Sequence, residues 1–194
     1  IRDRAQSAGL AGYMPHSPCP ILETLESHFG FRSFLPGQKA IIDDIISEKS
    51  VIVVRPTGAG KSLCFQLPSL LMPGLSLVVS PLIALMNEQV EQLCELGISA
   101  AFLNSSQSRS RQREVEAKIK NDELQILYVA PERFASQRFR ALIKAKTIAI
   151  LAIDEAHCIS EWGHDFRPEY RQLKAAIDTL KPTAVVACTA TATK

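Results

Sequence analysis

Four apolar residues, Val51–Val54, run directly into Arg55-Pro-Thr-Gly-Ala-Gly-Lys-Ser62, and Leu63-Cys-Phe-Gln-Leu67 continues from there. The β-branched run reads as a short strand, the glycine-bearing segment as a tight turn, and the apolar stretch as the start of a buried helix. A strand, a glycine turn and a helix N-terminus in that order make a phosphate cradle, because backbone N–H groups and the helix dipole converge on negative charge. Gly58 and Gly60 let the backbone approach without a Cβ in the way. Thr57, Gly58, Ala59 and Gly60 supply the backbone of the cradle, Lys61 reaches for β- and γ-phosphates, and the Ser62 hydroxyl is placed for Mg²⁺. The strict pattern has Gly at the position of Arg55, so the strand–turn–helix context carries the reading.

Short apolar runs alternate with helical patterns along the rest of the chain. The runs are 51–54, 75–80, 99–102, 125–129, 147–153 and 183–188. Helical stretches lie between them near 61–71, 82–96, 108–121, 136–145 and 168–180, after two more helices at 21–29 and about 37–47. In the stretch 82–96, Leu82, Leu85, Met86, Val90, Leu93 and Leu96 share one face, and Gly97 ends it. This alternation predicts βαβ units and an α/β fold with a mostly parallel sheet. Ligands in such folds bind beyond the carboxyl ends of the strands. Segments 55–62, 80–82, 154–157 and 189–193 should therefore gather on one rim.

Ile148-Ala-Ile-Leu-Ala-Ile153, apolar throughout as a doubly covered strand requires, delivers Asp154-Glu155-Ala156-His157. A carboxylate at such a strand end is the usual second anchor for Mg²⁺ beside a phosphate loop, which assigns that role to Asp154. Glu155 is the candidate to orient and deprotonate the attacking water, and His157 to link that region to its neighbours by hydrogen bonds. Gln38 carries an amide that pairs bidentately with adenine N6 and N7, which favours ATP over GTP. The segment 158–171 interleaves Trp162, Phe166 and Tyr170 with Arg167, Arg171, Glu161, His164 and Asp165. Aromatic faces beside cations suit stacking on bases and contact with phosphates; anchoring a surface loop to the core is the other use of such aromatics. Ser80-Pro81 opens the helix at 82, whose free N–H groups suit a DNA phosphate, and Asn104, Ser105 and Ser106 end the next strand. Helix capping and turn formation are the alternatives for these residues, and for Thr189 and Thr191. The helix 108–121 bears Arg109, Arg111, Arg113, Lys118 and Lys120, with Glu114–Lys118 and Glu116–Lys120 spaced as ion pairs on a solvated face.

The two phosphate motifs resemble those of superfamily 2 helicases. Cys158-Ile-Ser-Glu-Trp-Gly-His-Asp-Phe-Arg-Pro-Glu-Tyr170 is similar to the aromatic-rich loop of RecQ-type DNA helicases, and Phe29-Gly-Phe-Arg-Ser-Phe-Leu-Pro-Gly-Gln38 to their adenine motif. Val78–Met86, Leu103–Gln107, Tyr128–Arg133 and Thr189–Thr193 fit the remaining motifs in order. The resemblance implies a three-layer RecA-like P-loop domain over 21–194 after an N-terminal arm at 1–20, with ATP and Mg²⁺ as cofactors and single-stranded or junction DNA as partner. It assigns Phe31 and Gln38 to the nucleotide, and Ser80, Pro81, Asn104, Trp162, Phe166 and Arg167 to DNA. It further implies a second RecA-like domain in the full-length protein, 3′→5′ unwinding in repair and recombination, and a cytoplasmic or nuclear setting. The chain departs from the family at three places: Leu35 stands where Arg is usual, Phe31 where Tyr is common, and Arg55 where a neutral residue is usual.

The net charge is only +2, so any nucleic-acid contact rests on local patches. The five cysteines are scattered and none forms a C-x-x-C pair, which argues for reduced thiols and against a zinc site or a disulfide frame. No apolar run is long enough to cross a membrane. The chain lacks an initiating Met and stops at Lys194, which reads as a piece of a longer protein.

Overall fold

The computed structural model describes residues 20–159, 170 and 172–190. All six apolar runs are strands, and they form one parallel sheet: β1 (Val51–Val54), β2 (Leu75–Val79), β3 (Ala100–Leu103), β4 (Ile126–Val129), β5 (Ile148–Ile153) and β6 (Ala184–Thr189). The spatial order is β1-β6-β5-β2-β4-β3. The helices are α1 (Pro20–Phe29), α2 (Gln38–Ile46), α3 (Lys61–Leu71), α4 (Ile83–Glu95), α5 (Arg109–Lys120), α6 (Gln137–Lys144) and α7 (Gln172–Leu180). Two short 3₁₀ turns, Pro131–Ala135 and Ala156–Ile159, follow β4 and β5 and had no periodic signal in the sequence.

The chain starts at one edge of the sheet, advances through β2 to β3 at the far edge, then returns through β4, β5 and β6. Right-handed crossovers put the outgoing helices on one face and the returning helices on the other. The cores follow this division. Val53, Val78, Tyr128, Ile150, Ala152 and Val186 pack beneath α3 and α4 with Phe65, Met86 and Leu93. Leu77, Val79, Leu127, Val129, Leu151 and Ile153 alternate with them and face α5, α6 and α7 through Val115, Phe139 and Leu173. Strands covered on both faces read as near-continuous apolar runs, and β2, β4 and β5 are buried throughout, with Ser76 of β2 the one polar side chain apart from the Tyr128 hydroxyl. A third cluster of Leu25, Ile42 and Leu67 seats α1 and α2 on α3 and so carries the adenine-motif segment up to the phosphate loop.

Three expectations change. The apolar face foreseen for α4 is narrower than its periodicity: Met86, Val90 and Leu93 are buried, but Leu82 and Leu96 are each 43% exposed, because both lie beyond the helix ends. Glu116 does not pair with Lys120. It turns inward and meets Arg138 of α6, whereas Glu114 keeps Lys118 at 3.6 Å and adds Arg111 at 2.7 Å. Tyr170 is 2% exposed and packs in the α5–α7 core, so it is not a stacking face for bases. No helix among the described residues is long and apolar enough to cross a membrane.

Candidate functional site

Strands β1 and β5 both flank β6, so their carboxyl ends lie roughly 10 Å apart at normal strand spacing. The segment leaving β1 is bonded to β6, and the segment leaving β5 to β2 on its other side. Arg55 N–H donates to Thr189 O at 3.1 Å, and Asp154 N–H donates to Val79 O at 2.8 Å. Four strand ends thus share one rim, as the sheet rule requires; residues 191–193 lie outside the described residues.

The phosphate loop leaves β1, turns through an Ala59 N–H bond to Pro56 O at 3.2 Å, and enters α3 at Lys61. Gly60 is the helix N-cap at φ +70°, with no side chain satisfying the first N–H groups of α3. Those donors, with the exposed Thr57 and Gly58 and half-buried Ala59 and Ser62, face the rim. Lys61 Nζ donates to Arg55 O at 3.1 Å and Pro56 O at 3.3 Å, so the loop wraps its own ammonium.

Asp154 lies across the rim within electrostatic reach of Lys61. Burial pushes its carboxyl above the usual carboxylate range, the Glu155 charge adds to that, and the Glu155 N–H, Lys61 and Ser80 oppose it. The Ser80 hydroxyl approaches closely enough to favour the ionised carboxylate but falls short of hydrogen-bond geometry, leaving a buried Oγ without a partner. A half-buried carboxylate beside a second acid and an unsatisfied hydroxyl is a hard-oxygen environment that fits a divalent cation. Among the described residues no cluster of three or more His, Cys, Asp or Glu could hold a metal by itself. Magnesium needs no such cage, since it takes one or two protein oxygens together with phosphates and water; Ser62 and Asp154 are the two residues that could offer such oxygens.

Glu155 adopts φ +49°, a left-handed conformation that is costly for a non-glycine residue and characteristic of strained functional positions. Its carboxylate lies 3.2 Å from His157 Nδ1, and the same nitrogen lies 3.2 Å from Thr189 Oγ1. His157 therefore ties the β5 end to the β6 end. The floor is apolar: burial pushes the Cys64 thiol up to about 11, against a lowering by Arg55, and pushes Cys188 further still. Both stay protonated at neutral pH.

Gln38 is 2% exposed, and its amide is half spent within the chain: Oε1 accepts from Leu35 N–H at 2.7 Å and Nε2 donates to Gly60 O at 3.0 Å. One lone pair and one N–H are left over by these two bonds, but at 2% exposure they are covered in the ligand-free chain, so reading a base would require the turn to move. This clasp between the adenine motif and the phosphate loop was not legible in the sequence. Phe31 is 56% exposed and lines a groove of about 330 Å³ with Leu63, Gln66 and Gln89.

The DNA candidates divide. Ser80 is 1% exposed with its N–H committed to Val129 O, Pro81 is buried, and Asn104 is fully buried with its Oδ1 accepting from Ser106 N–H at 3.0 Å and Ser106 Oγ at 2.8 Å. Their side chains shape the rim rather than present themselves to a ligand. The exposed groups there are Leu82, Ile83 and Ala84 at the α4 start, and Ser105 and Ser106 beyond β3. Trp162, Phe166 and Arg167 lie outside the described residues. Before and after them in the chain, Cys158 is buried and Tyr170 donates its hydroxyl to Asp154 O at 3.2 Å. Sequence reasoning missed this last link; Tyr170 stands among charged residues, and no pattern marks it as core.

Residues 35–194 match the DEAD/DEAH box helicase family. The chain is 48% identical over 171 residues to an ATP-dependent DNA helicase RecQ of Haemophilus influenzae, covering 88% of this chain and 28% of that protein. It is 47% identical to an ATP-dependent DNA helicase RecQ of Pasteurella multocida, covering 88% and 27%. The chain thus spans little more than a quarter of the length of these relatives. Its fold is similar to that of a hypothetical ATP-dependent RNA helicase from Sulfolobus tokodaii, with a TM-score of 0.69 at 21% identity over 89% of this chain and 50% of that one.

Proposed function

The chain belongs to the DEAD/DEAH box helicase family, and on that premise we propose that it is the first motor domain of a RecQ-type ATP-dependent DNA helicase. The observation that carries this reading is the convergence of Lys61 and Asp154 on one rim, where the Lys61 charge reaches the Asp154 carboxyl. Lys61 leaves the carbonyls of Arg55 and Pro56 to meet the β- and γ-phosphates, which the N-terminus of α3 also attracts. Ser62 and Asp154 would hold Mg²⁺, which would supply positive charge against the phosphates. Glu155, strained at φ +49°, orients the attacking water and takes its proton. His157 with Thr189 holds Glu155 and the β6 end in register. Once the turn moves, the half of the Gln38 amide not spent within the chain reads adenine, and Phe31 offers a stacking face.

On the same rim, the α4 start and Ser105–Ser106 meet the sugar–phosphate backbone of DNA; by the resemblance of their sequence motif, Trp162, Phe166 and Arg167 stack and pair with a single strand. Such contacts carry no sequence information, as a motor requires. The full-length protein supplies a second RecA-like domain with an arginine finger, worth roughly 10³–10⁵ in rate in related phosphoryl transfer. By itself this domain binds nucleotide and DNA weakly and does not separate strands. Polarity 3′→5′ and a role in repair and recombination follow from the RecQ likeness.

The test is the ATPase rate of the full-length protein with single-stranded DNA, with RNA and with neither. Stimulation by DNA that Glu155→Gln abolishes, with nucleotide binding retained, supports the reading. Stimulation by RNA alone favours an RNA translocase, and binding without any turnover favours a nucleotide-regulated binding module.

A further inference from the structure

Arg55 stands at the entrance of the phosphate loop, and the two halves of the residue face different tasks. Its backbone carbonyl receives the Lys61 ammonium at 3.1 Å. Its side chain reaches the adenine-motif turn, where a Cβ on Gly37 would lie 3.8 Å from Nη1. Gly37 immediately precedes Gln38, whose amide closes that turn onto Gly60. Leu35, 48% exposed, points its tip at the same glycine, 3.5 Å from where a Gly60 Cβ would stand. Arg55 is half-buried as a residue, and its guanidinium takes no hydrogen bond or ion pair among the described residues. Its charge is felt at Cys64 in the first turn of α3, where it opposes the effect of burial on the thiol.

A half-buried cation without a partner is costly unless a ligand completes it. The seam it occupies runs between the turn that faces the base and the loop that faces the phosphates. A planar guanidinium there can lie over a purine or donate paired N–H groups to the ribose and its first phosphate.

We propose that Arg55 is a specificity-determining residue that grips the adenosine end of the nucleotide, from the phosphate-loop side of the site. This rests on the nucleotide reading above. It also accounts for Leu35: with the cation supplied from position 55, the adenine-motif turn does not need one at 35.

The test is the dissociation constant of a ribose-labelled fluorescent ADP with Mg²⁺, measured on the whole chain, together with displacement by ATP and by inorganic tripolyphosphate. Arg55→Met should weaken ADP and ATP equally, by about tenfold, as expected for loss of one charge-assisted contact, and leave tripolyphosphate displacement unchanged. Arg55→Lys should fall between, because it keeps the charge and loses the planar fork. Adding Leu35→Arg to Arg55→Met should recover most of the loss. Unchanged ADP affinity in Arg55→Met, or an equal loss of tripolyphosphate binding, overturns the assignment. Lys61→Ala separates the two levels. If it weakens ADP while Arg55→Met does not, only the role of Arg55 fails; if neither matters, the nucleotide reading fails and takes this assignment with it.

Discussion

Replacing Gly60 with Ala should strain the phosphate loop and dislodge Gln38 in one step. Gly60 sits at φ +70°, where an L-residue costs about 1–2 kcal/mol. The added methyl would also collide with Gln38 Nε2, which donates to Gly60 O at 3.0 Å. Gln38 is 2% exposed, so an amide driven from its acceptor finds no water and costs a further ~1–3 kcal/mol. Gly60→Ala should therefore destabilise the chain by about 2–5 kcal/mol. Gly58 provides the control: its φ of +78° is as demanding, but an added Cβ meets nothing within 4 Å. Gly58→Ala should cost only the backbone strain, about 1–2 kcal/mol. Urea unfolding followed by far-ultraviolet circular dichroism gives the difference between the two. Combining Gln38→Ala with Gly60→Ala removes the clash, and the pair should couple by about 1–3 kcal/mol rather than add. Equal effects of the two glycine substitutions, or additivity within about 0.5 kcal/mol, would refute the clasp between the adenine motif and the loop.

Asp154→Asn should raise the stability of the ligand-free chain at neutral pH while weakening Mg²⁺-dependent nucleotide binding. A carboxyl whose folded pKa is raised destabilises the fold as pH climbs through its unfolded value, and the loss persists above the folded one. The stability gap between the two proteins should therefore close as pH falls into the range where Asp154 is protonated in both states; melting curves at several pH values read this. Tyr170→Phe removes the hydroxyl bond to Asp154 O and should lower stability by about 0.5–1.5 kcal/mol, a fall of a few degrees in Tm. Arg138→Ala leaves Glu116 buried without its partner and should destabilise by about 1 kcal/mol in unfolding assays, whereas Lys120→Ala should stay within about 0.5 kcal/mol.

What the sequence disclosed and what it hid separate along physical lines. The strands were legible because short, mostly apolar and β-branched runs alternate with longer helical patterns, most clearly at 148–153, which is apolar and buried throughout. The phosphate loop and Asp154 were legible because short spacing rules govern glycine, lysine and acid at strand ends. The hidden features all depend on contacts between distant residues. Glu116 sits at a spacing that predicts a surface pair with Lys120, yet α6 brings Arg138 to it, and the two close across helices. Tyr170 reads as part of an exposed charged loop, although its ring fills the α7 side of the core and its hydroxyl meets Asp154. Ser80 and Asn104 lie on the expected rim, but burial there was invisible to motif spacing. Gln38 carried a base-reading role by pattern alone, and only the fold shows half of its amide holding Gly60.

The central claim is that Lys61 and Asp154 act on one bound nucleotide. Calorimetric titration of the chain with ATP, with and without Mg²⁺, tests it directly when repeated on Lys61→Ala and Asp154→Ala. The account predicts a single saturable site that loses at least about tenfold in affinity in Lys61→Ala, and in Asp154→Ala loses its dependence on Mg²⁺. Affinity and magnesium dependence unchanged in both variants would contradict it.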